Sequence, residues 1–479
     1  MKQYSPKRRT AVVFTGSGTS GAYHAGVLRA LDESGVKIDL VVGSGAGAVT
    51  AAFAAVSGGS RLYGPGGLWD GARWDSFYRL RPALRLALAL VGVSFAIIAL
   101  PVAAGLLVGI VFPLLLIADR VAPGSASRAL SAILVAPEAL SGPYLAAQAL
   151  PVFALALVGS AALGVAWLQR RSRVAEAFES LLDAEPGLRR LTARLWEVAR
   201  GAALTAAPGS ESELGRSYVA LASENLGEPG FRELIVRVAD LDRGGPLAFA
   251  LLREPEPGAA DDDHGDRVDL RAPGQAELFF DALATGVLLP LAMPLRRVTF
   301  PRGAVHAGET HRLADAALVP GCGIAEAIDA GAEQVVVVTG APEQPQPPPR
   351  RRGPVARIDA TLRTFEQQAA AELDQVERTN RMVGTLGHRA GGRGAWEDPA
   401  TGHVTREVDV WVIRPRRRSL GPAELDGARD PATEVVRTTD DLVERGFRDA
   451  YVQFIEPVVG QSPVPEREEG KYRDQAVSL

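Results

Sequence analysis

The chain has 479 residues, enough for two domains or for one domain carrying a large insertion. Its 52 basic and 56 acidic residues leave a formal net charge of −4, which points away from nucleic acid as a partner. A single cysteine, Cys322, excludes a disulfide framework within the chain and is compatible with a reducing compartment. The opening MKQYSPKRRT has no apolar core, so no signal peptide is expected.

The first organised stretch runs from Thr10 to Ala55. Ala11–Phe14 is apolar and β-branched, as a buried strand requires, and it breaks into the glycine turn Gly16-Ser17-Gly18-Thr19-Ser20-Gly21. A helical stripe follows (Ala22, Gly26, Val27, Ala30, Leu31). The second strand, Ile38–Val42, ends in Gly43-Ser44-Gly45-Ala46-Gly47, which opens a small-residue helix, Ala48–Val56. Two strand–turn–helix units in tandem predict neighbouring parallel strands with both glycine turns at their C-terminal ends, where helix N-termini present free N–H groups.

Two chemistries use such turns. Gly16, Gly18 and Gly21 fit the dinucleotide-binding G-x-G-x-x-G, but Asp39, the acidic residue about 20 positions on, stands at the start of the second strand rather than beside a ribose at its end. The alternative is a nucleophile elbow, a strained turn that lifts a side chain above the sheet. Here the stretch resembles the patatin-like phospholipases, which carry a glycine-rich oxyanion loop, a G-x-S-x-G elbow and a later D-G-[GA] motif supplying the aspartate of a Ser–Asp dyad. The resemblance places the oxyanion hole on Gly16, Ser17, Gly18 and Thr19 and the nucleophile at Gly45, which has no side chain to attack with.

Beyond an aromatic-rich segment, Leu68–Tyr78, the run Leu86–Ala118 carries no charge and exceeds the roughly 20 residues a bilayer span needs. A second uncharged run, Tyr144–Leu168, is closed by Trp167 and by Arg170, Arg171 and Arg173. Two buried core helices would suit a large α/β protein. Length and the arginines at both outer ends favour instead a transmembrane helical hairpin at an inner or cytoplasmic membrane, with the globular domain in the cytoplasm.

The rest of the chain reads as amphipathic helices over Val174–Ala206, a strand Phe231–Asp240 and a small-residue helix in Phe279–Pro290. The sequence HRLADAA, residues 311–317, then falls where the family has its dyad motif. By that resemblance Asp315 is the dyad aspartate, although Ala316 and Ala317 replace the glycine. A helix and the strand Val335–Val338 follow, then a basic Pro-rich linker at Pro345–Pro354, a long amphipathic helix from Ile358 to Val376, a strand Val408–Ile413 and a helix Leu442–Phe454. The acidic loop Asp261-Asp262-Asp263-His264 has no second cluster at ligand spacing and reads as solvated, so neither a metal nor a cofactor is expected. No histidine falls in a triad motif; His24 reads as a packing residue, and His311, four residues before Asp315, is the other one of interest.

The predicted architecture is therefore α/β: a three-layer, patatin-like domain with a central, mostly parallel sheet, interrupted by a transmembrane hairpin. Its boundaries are 1–78 for the first part of the core, 79–173 for the hairpin, 174–344 for the second part and 345–479 for a C-terminal extension with a charged tail. Three functional readings stand: a lipid-binding pseudoenzyme, an acyl hydrolase with a displaced nucleophile (Ser44 or Ser20), and a nucleotide-binding module using Gly16–Gly21. The partner implied by the first two is a membrane lipid or acyl ester, with a protein partner also open and nucleic acid excluded.

Overall fold

The computed structural model describes residues 3–81 apart from 19, isolated positions between 85 and 159, 182–253 apart from 202–205, 267–342 apart from 290–292 and 303–305, 370–416 apart from 387–394 and 398–403, and 438–460. The chain divides into two compact units, residues 1–79 with 184–479, and residues 80–183.

The larger unit is built on a nine-stranded mixed sheet. Its strands are β1 (Thr10–Gly16), β2 (Leu40–Gly45), β3 (Glu233–Asp240), β4 (Gly245–Leu251), β5 (Arg267–Asp269), β6 (Arg296–Thr299), β7 (Thr310–Asp315), β8 (Gln334–Thr339) and β9 (Asp409–Ile413). The order is β9-β8-β1-β2-β3-β4-β5, and the first five are mutually parallel. Of these, β1, β2, β3 and β8 have a neighbouring strand on both edges and lie buried, which is why they read as continuous apolar runs rather than as alternating ones, while β9 is the edge strand.

The predicted pairing of the first two strands is observed: Ala11 lies opposite Leu40 and Gly16 opposite Gly45. The second strand, expected over Ile38–Val42, instead begins at Leu40 and continues to Gly45, so the elbow glycine is the last residue of the strand. Parallel pairing with β1 and β3 carries the ladder through Gly43 and Ser44, which by composition alone look like a loop.

One face of the sheet is covered by α1 (Ser20–Glu33) and α2 (Ala46–Ala55), all ten of whose residues are buried. The other face is covered by α6 (Ile324–Asp329) and by the helix at 370–386, here α7, through Ile324, Ala327, Leu373 and Val376 against Val13, Val42 and Val337. Between these in sequence lie α3 (Glu185–Ala199), α4 (Glu211–Glu224) and α5 (Phe279–Thr285). The expected three layers are thus present, and the C-terminal region joins them. β9 extends the sheet, and α8 (Thr439–Ala450), started by a Thr438–Asp441 capping box, crosses α1. That crossing is close because it is made on glycines. A Cβ on Gly26 would collide with the Val443 carbonyl, and one on Gly446 with the Tyr23 carbonyl. The Tyr23 hydroxyl donates to Asp449 across the same interface, 3.1 Å.

β7 decides where the site lies. It runs antiparallel to β3 and pairs with Val238–Asp240, the stretch of β3 beyond the end of β2. β2 and β7 therefore meet end to end along one edge of β3, and the last residue of each, Gly45 and Asp315, arrive at the same point.

The expected transmembrane hairpin is not found in the structure: among the described residues no helix is long and apolar enough to cross a membrane. Leu86–Ala118 falls largely, and Tyr144–Leu168 almost wholly, outside those residues, as do most of Val174–Ala184, the acidic loop at 261–264, the Pro-rich linker, the first half of the helix expected from Ile358, and the charged tail.

Candidate active site

Gly45 has φ +59° and ψ −132°, the backbone of a sharp strand-to-helix turn, and it is the N-cap of α2. That conformation strains any residue with a Cβ, and glycine adopts it without cost. The aspartate expected of the dyad is here. Asp315 is buried, 2% exposed, and a Cβ added to Gly45 would lie 2.8 Å from its Oδ1 and 3.1 Å from its Oδ2.

The third neighbour of that Cβ position is the Gly16 carbonyl oxygen, which would be closer still. Gly16 (φ +147°) and Gly18 (φ +59°) curl the first glycine loop over the elbow, and Ser17 is buried within it; Thr19 lies outside the described residues. The three heavy atoms nearest the nucleophile position are thus all oxygens. A carboxylate at this distance is placed as a base for a hydroxyl there would be, whereas the glycine loop offers the same position a carbonyl rather than an N–H donor.

Asp315 Oδ1 accepts from the Ala317 N–H at 2.9 Å, while Oδ2 has no hydrogen-bond partner among the described residues. Burial pushes the carboxyl up to about 7, against a smaller lowering by the Ala317 N–H. Tyr78 is buried beside it, with its hydroxyl donating to the Val287 carbonyl at 3.1 Å. Burial, and secondarily the Asp315 charge, hold that phenol above its ordinary range.

The other candidate hydroxyls point elsewhere. Ser44 precedes Gly45 in the pleat and so faces the opposite side of the sheet, where its Oγ donates to Thr15 Oγ1 at 3.0 Å and to the Cys322 carbonyl at 3.3 Å. Ser20 opens α1, fully buried, with its Oγ against Gly16 and no hydrogen-bond partner among the described residues. His24, one turn further on, is wholly buried against Phe14, and burial pulls its imidazole down to about 3, so it is neutral. Asp39 accepts from the Thr10 N–H and pairs with Lys37, which commits it to joining β1 and β2.

A narrow, tightly packed apolar crevice lies beside the elbow, with Gly18, Ala46, Trp69, Phe77, Tyr78 and Val287 among its walls. Trp69 and Phe77 stack with ring centroids 5.0 Å apart. The aromatic cluster at Leu68–Tyr78 is plain in the sequence, but no motif ties it to the site. Its signal is the density of large apolar residues between the elbow helix and the charge-free run. Gly286 closes the end of α5 directly on the elbow: a Cβ there would strike the Gly45 carbonyl.

The parallel sheet thus ends in a turn that presents a helix N-terminus, with a buried aspartate beside its apex and an apolar crevice alongside. Residues 12–103 match the family model Patatin-like phospholipase, so this segment is similar to that family. No curated protein matches the chain. Among solved structures it is similar to VipD from Legionella pneumophila, at 12% identity over 94% of this chain and 67% of that one. The TM-score of that superposition is 0.29, too low to carry an argument about the site.

Proposed function

We propose that this chain is a lipid-binding pseudoenzyme on a patatin-like framework, with no acyl hydrolysis of its own. The observation that carries the reading is at Gly45. The nucleophile is missing, and the place its Cβ would take is filled by the Gly16 carbonyl and the Asp315 carboxylate. The apolar lining of the crevice beside the elbow and the match to the patatin-like family model favour a lipid as ligand, one that would have to part Trp69, Phe77 and Val287 to enter, and nothing at Asp39 supports a nucleotide. The displaced-nucleophile alternative requires a hydroxyl within reach of Asp315. Ser44 is bonded to Thr15 and Cys322 instead, and Ser20 remains the one to test. Purified protein is expected to release no fatty acid from phospholipid or p-nitrophenyl esters above background, and to take no label from a fluorophosphonate probe. Labelling at Ser20 or Ser44, lost in Asp315→Asn, would establish the hydrolase reading instead.

The same proposal places the protein at a membrane through residues 80–183. Each described residue between 85 and 120 is helical, and the large apolar side chains there stand open, among them Phe95 at 72% and Ile110 and Ile117 at 62% exposure. Side chains of this size left uncovered mark a contact surface, and a charge-free run of this length suits lipid. The full chain is expected in the membrane fraction after a carbonate wash and to need detergent for extraction. Recovery in the supernatant without detergent would remove the membrane from the proposal.

A further inference from the structure

We propose that His306, Glu309 and His311 form a binding site for a divalent transition-metal ion of the zinc class, with Asp240 as the outer partner that orients His311. The ligand atoms these three residues offer all lie within 4.8 Å of one another. Bonds of about 2.0–2.2 Å in a tetrahedral zinc site put ligand atoms roughly 3.3 Å apart, so small side-chain movements close the set. His311 Nε2 and Glu309 Oε2 are already 2.9 Å apart. A water in the fourth position would complete the coordination.

The frame is local and firm. Glu309 N–H donates to the His306 carbonyl at 3.0 Å, and Phe300 N–H to the Glu309 carbonyl at 2.9 Å, which tie the turn to the end of β6. His311 is on β7 itself. The two imidazoles are buried, their centroids 5.0 Å apart, and both meet Phe300 edge-on at 5.4 and 5.1 Å. Glu309 is exposed and gives an entry side.

The partners of His311 point more firmly still to a cation. Its Nδ1 lies 2.5 Å from Asp240 Oδ2, and Asp240 is itself fixed, its Oδ1 accepting from the N–H groups of Asp242 at 3.0 Å and Arg243 at 3.2 Å. A buried carboxylate on Nδ1 is the arrangement that sets the tautomer of a metal-ligating histidine and turns the Nε2 lone pair outward. At Nε2 that lone pair faces a second carboxylate, Glu309. As the structure stands the two atoms are in direct contact, the ring bonded between two carboxylates, and a metal ion entering between Nε2 and Glu309 needs them to part from 2.9 Å to roughly 3.3 Å. The Arg243 guanidinium lies 2.6 Å from His306 Nε2 and 3.4 Å from its Nδ1, so a cation already stands at this ring and occupies its nitrogens. Arg243 is exposed, and a metal ion would displace it into water.

The test is titration of the chelator-treated, full-length protein with Co²⁺, read by its visible d–d absorption, and competition by Zn²⁺. One equivalent should bind, with the intense bands of four- or five-coordinate cobalt, and Zn²⁺ should displace it. Glu309→Gln, on an exposed residue, should leave the circular dichroism unchanged and weaken binding about 10–100-fold. His306→Ala should weaken it more, and Asp240→Asn by about 10–100-fold, as the loss of outer-shell partners does. Absence of saturable binding to the wild type, or an affinity that Glu309→Gln and His306→Ala leave unchanged, would overturn the proposal and leave Glu309–His311–Asp240 as an ion-pair relay.

Discussion

Gly45→Ser is expected to destabilise the protein by about 2–5 kcal/mol and to restore no hydrolysis. Two costs combine. A side chain at φ +59° is strained by about 1–3 kcal/mol, and forcing extra atoms into a filled site costs about as much again. The intrusion is specific, because the new Cβ collides with the Gly16 carbonyl, a backbone atom that moves only with the whole glycine loop, and presses on Asp315 Oδ1 at 2.8 Å. Chemical denaturation with the midpoint read by fluorescence measures the loss, and Gly45→Ala is the control. The two variants should lose similar stability, since the collision begins at Cβ. A Gly45→Ser protein as stable as wild type that hydrolyses esters would mean that the loop opens readily and that the site is one substitution from activity.

This sharpens what the motifs alone imply. By the resemblance alone, serine at position 45 would restore the elbow and leave Ala316 and Ala317 as the departures. In the folded chain the obstacle is nearer, since the loop that should donate N–H groups turns a carbonyl towards the elbow. Peptide orientation is not written in a glycine-rich string, because every member of Gly16-Ser17-Gly18 admits both.

What is legible in the sequence follows from local rules. The apolar runs and glycine turns place β1, β2 and both turns at one end of the sheet, and the tandem pattern fixes their parallel pairing. Asp315 is found from the motif, and its arrival at Gly45 follows once β7 is known to abut β2 along β3. That abutment is a tertiary event between residues 40–45 and 310–315, with no local signature. The same limit hides the histidine cluster. His306, Glu309 and His311 are visible as H-x-x-E-x-H, but Asp240, which gives the cluster its chemistry, comes from the far end of β3. The C-terminal helix shows a local limit instead. Expected over Leu442–Phe454, it starts at Thr439, and beyond Ala450 the chain widens into a π-helical turn through Val459 that contains Pro457. Proline has no N–H to give the i−4 carbonyl, and the wider turn absorbs that loss.

Asp315→Asn is expected to stabilise the protein above neutral pH and to change little in acid. In the unfolded chain the carboxyl ionises near 3.8, and in the fold burial holds it protonated up to about 7. Between those values the native state binds the extra proton. Stability attributable to this group is therefore fully present below about pH 4, falls as pH rises towards 7 and stays low above it. At about 1.4 kcal/mol for each pH unit between the two values, the ionised carboxylate costs on the order of 4 kcal/mol at pH 8. Asparagine keeps the shape and the acceptor for Ala317 N–H but never ionises, so the variant's stability curve should lack that decline and cross above the wild type. Urea midpoints at pH 4.5, 6, 7 and 8 decide it; parallel curves for the two proteins would show that Asp315 is ionised throughout. The sign bears on function as well. A buried aspartate that weakens the fold at neutral pH, with no cation to offset it among the described residues, does not serve stability. On the proposed reading, its place beside Gly45, with the carboxyl pushed up towards neutrality by burial, suits a general base for a hydroxyl nucleophile that position 45 does not supply.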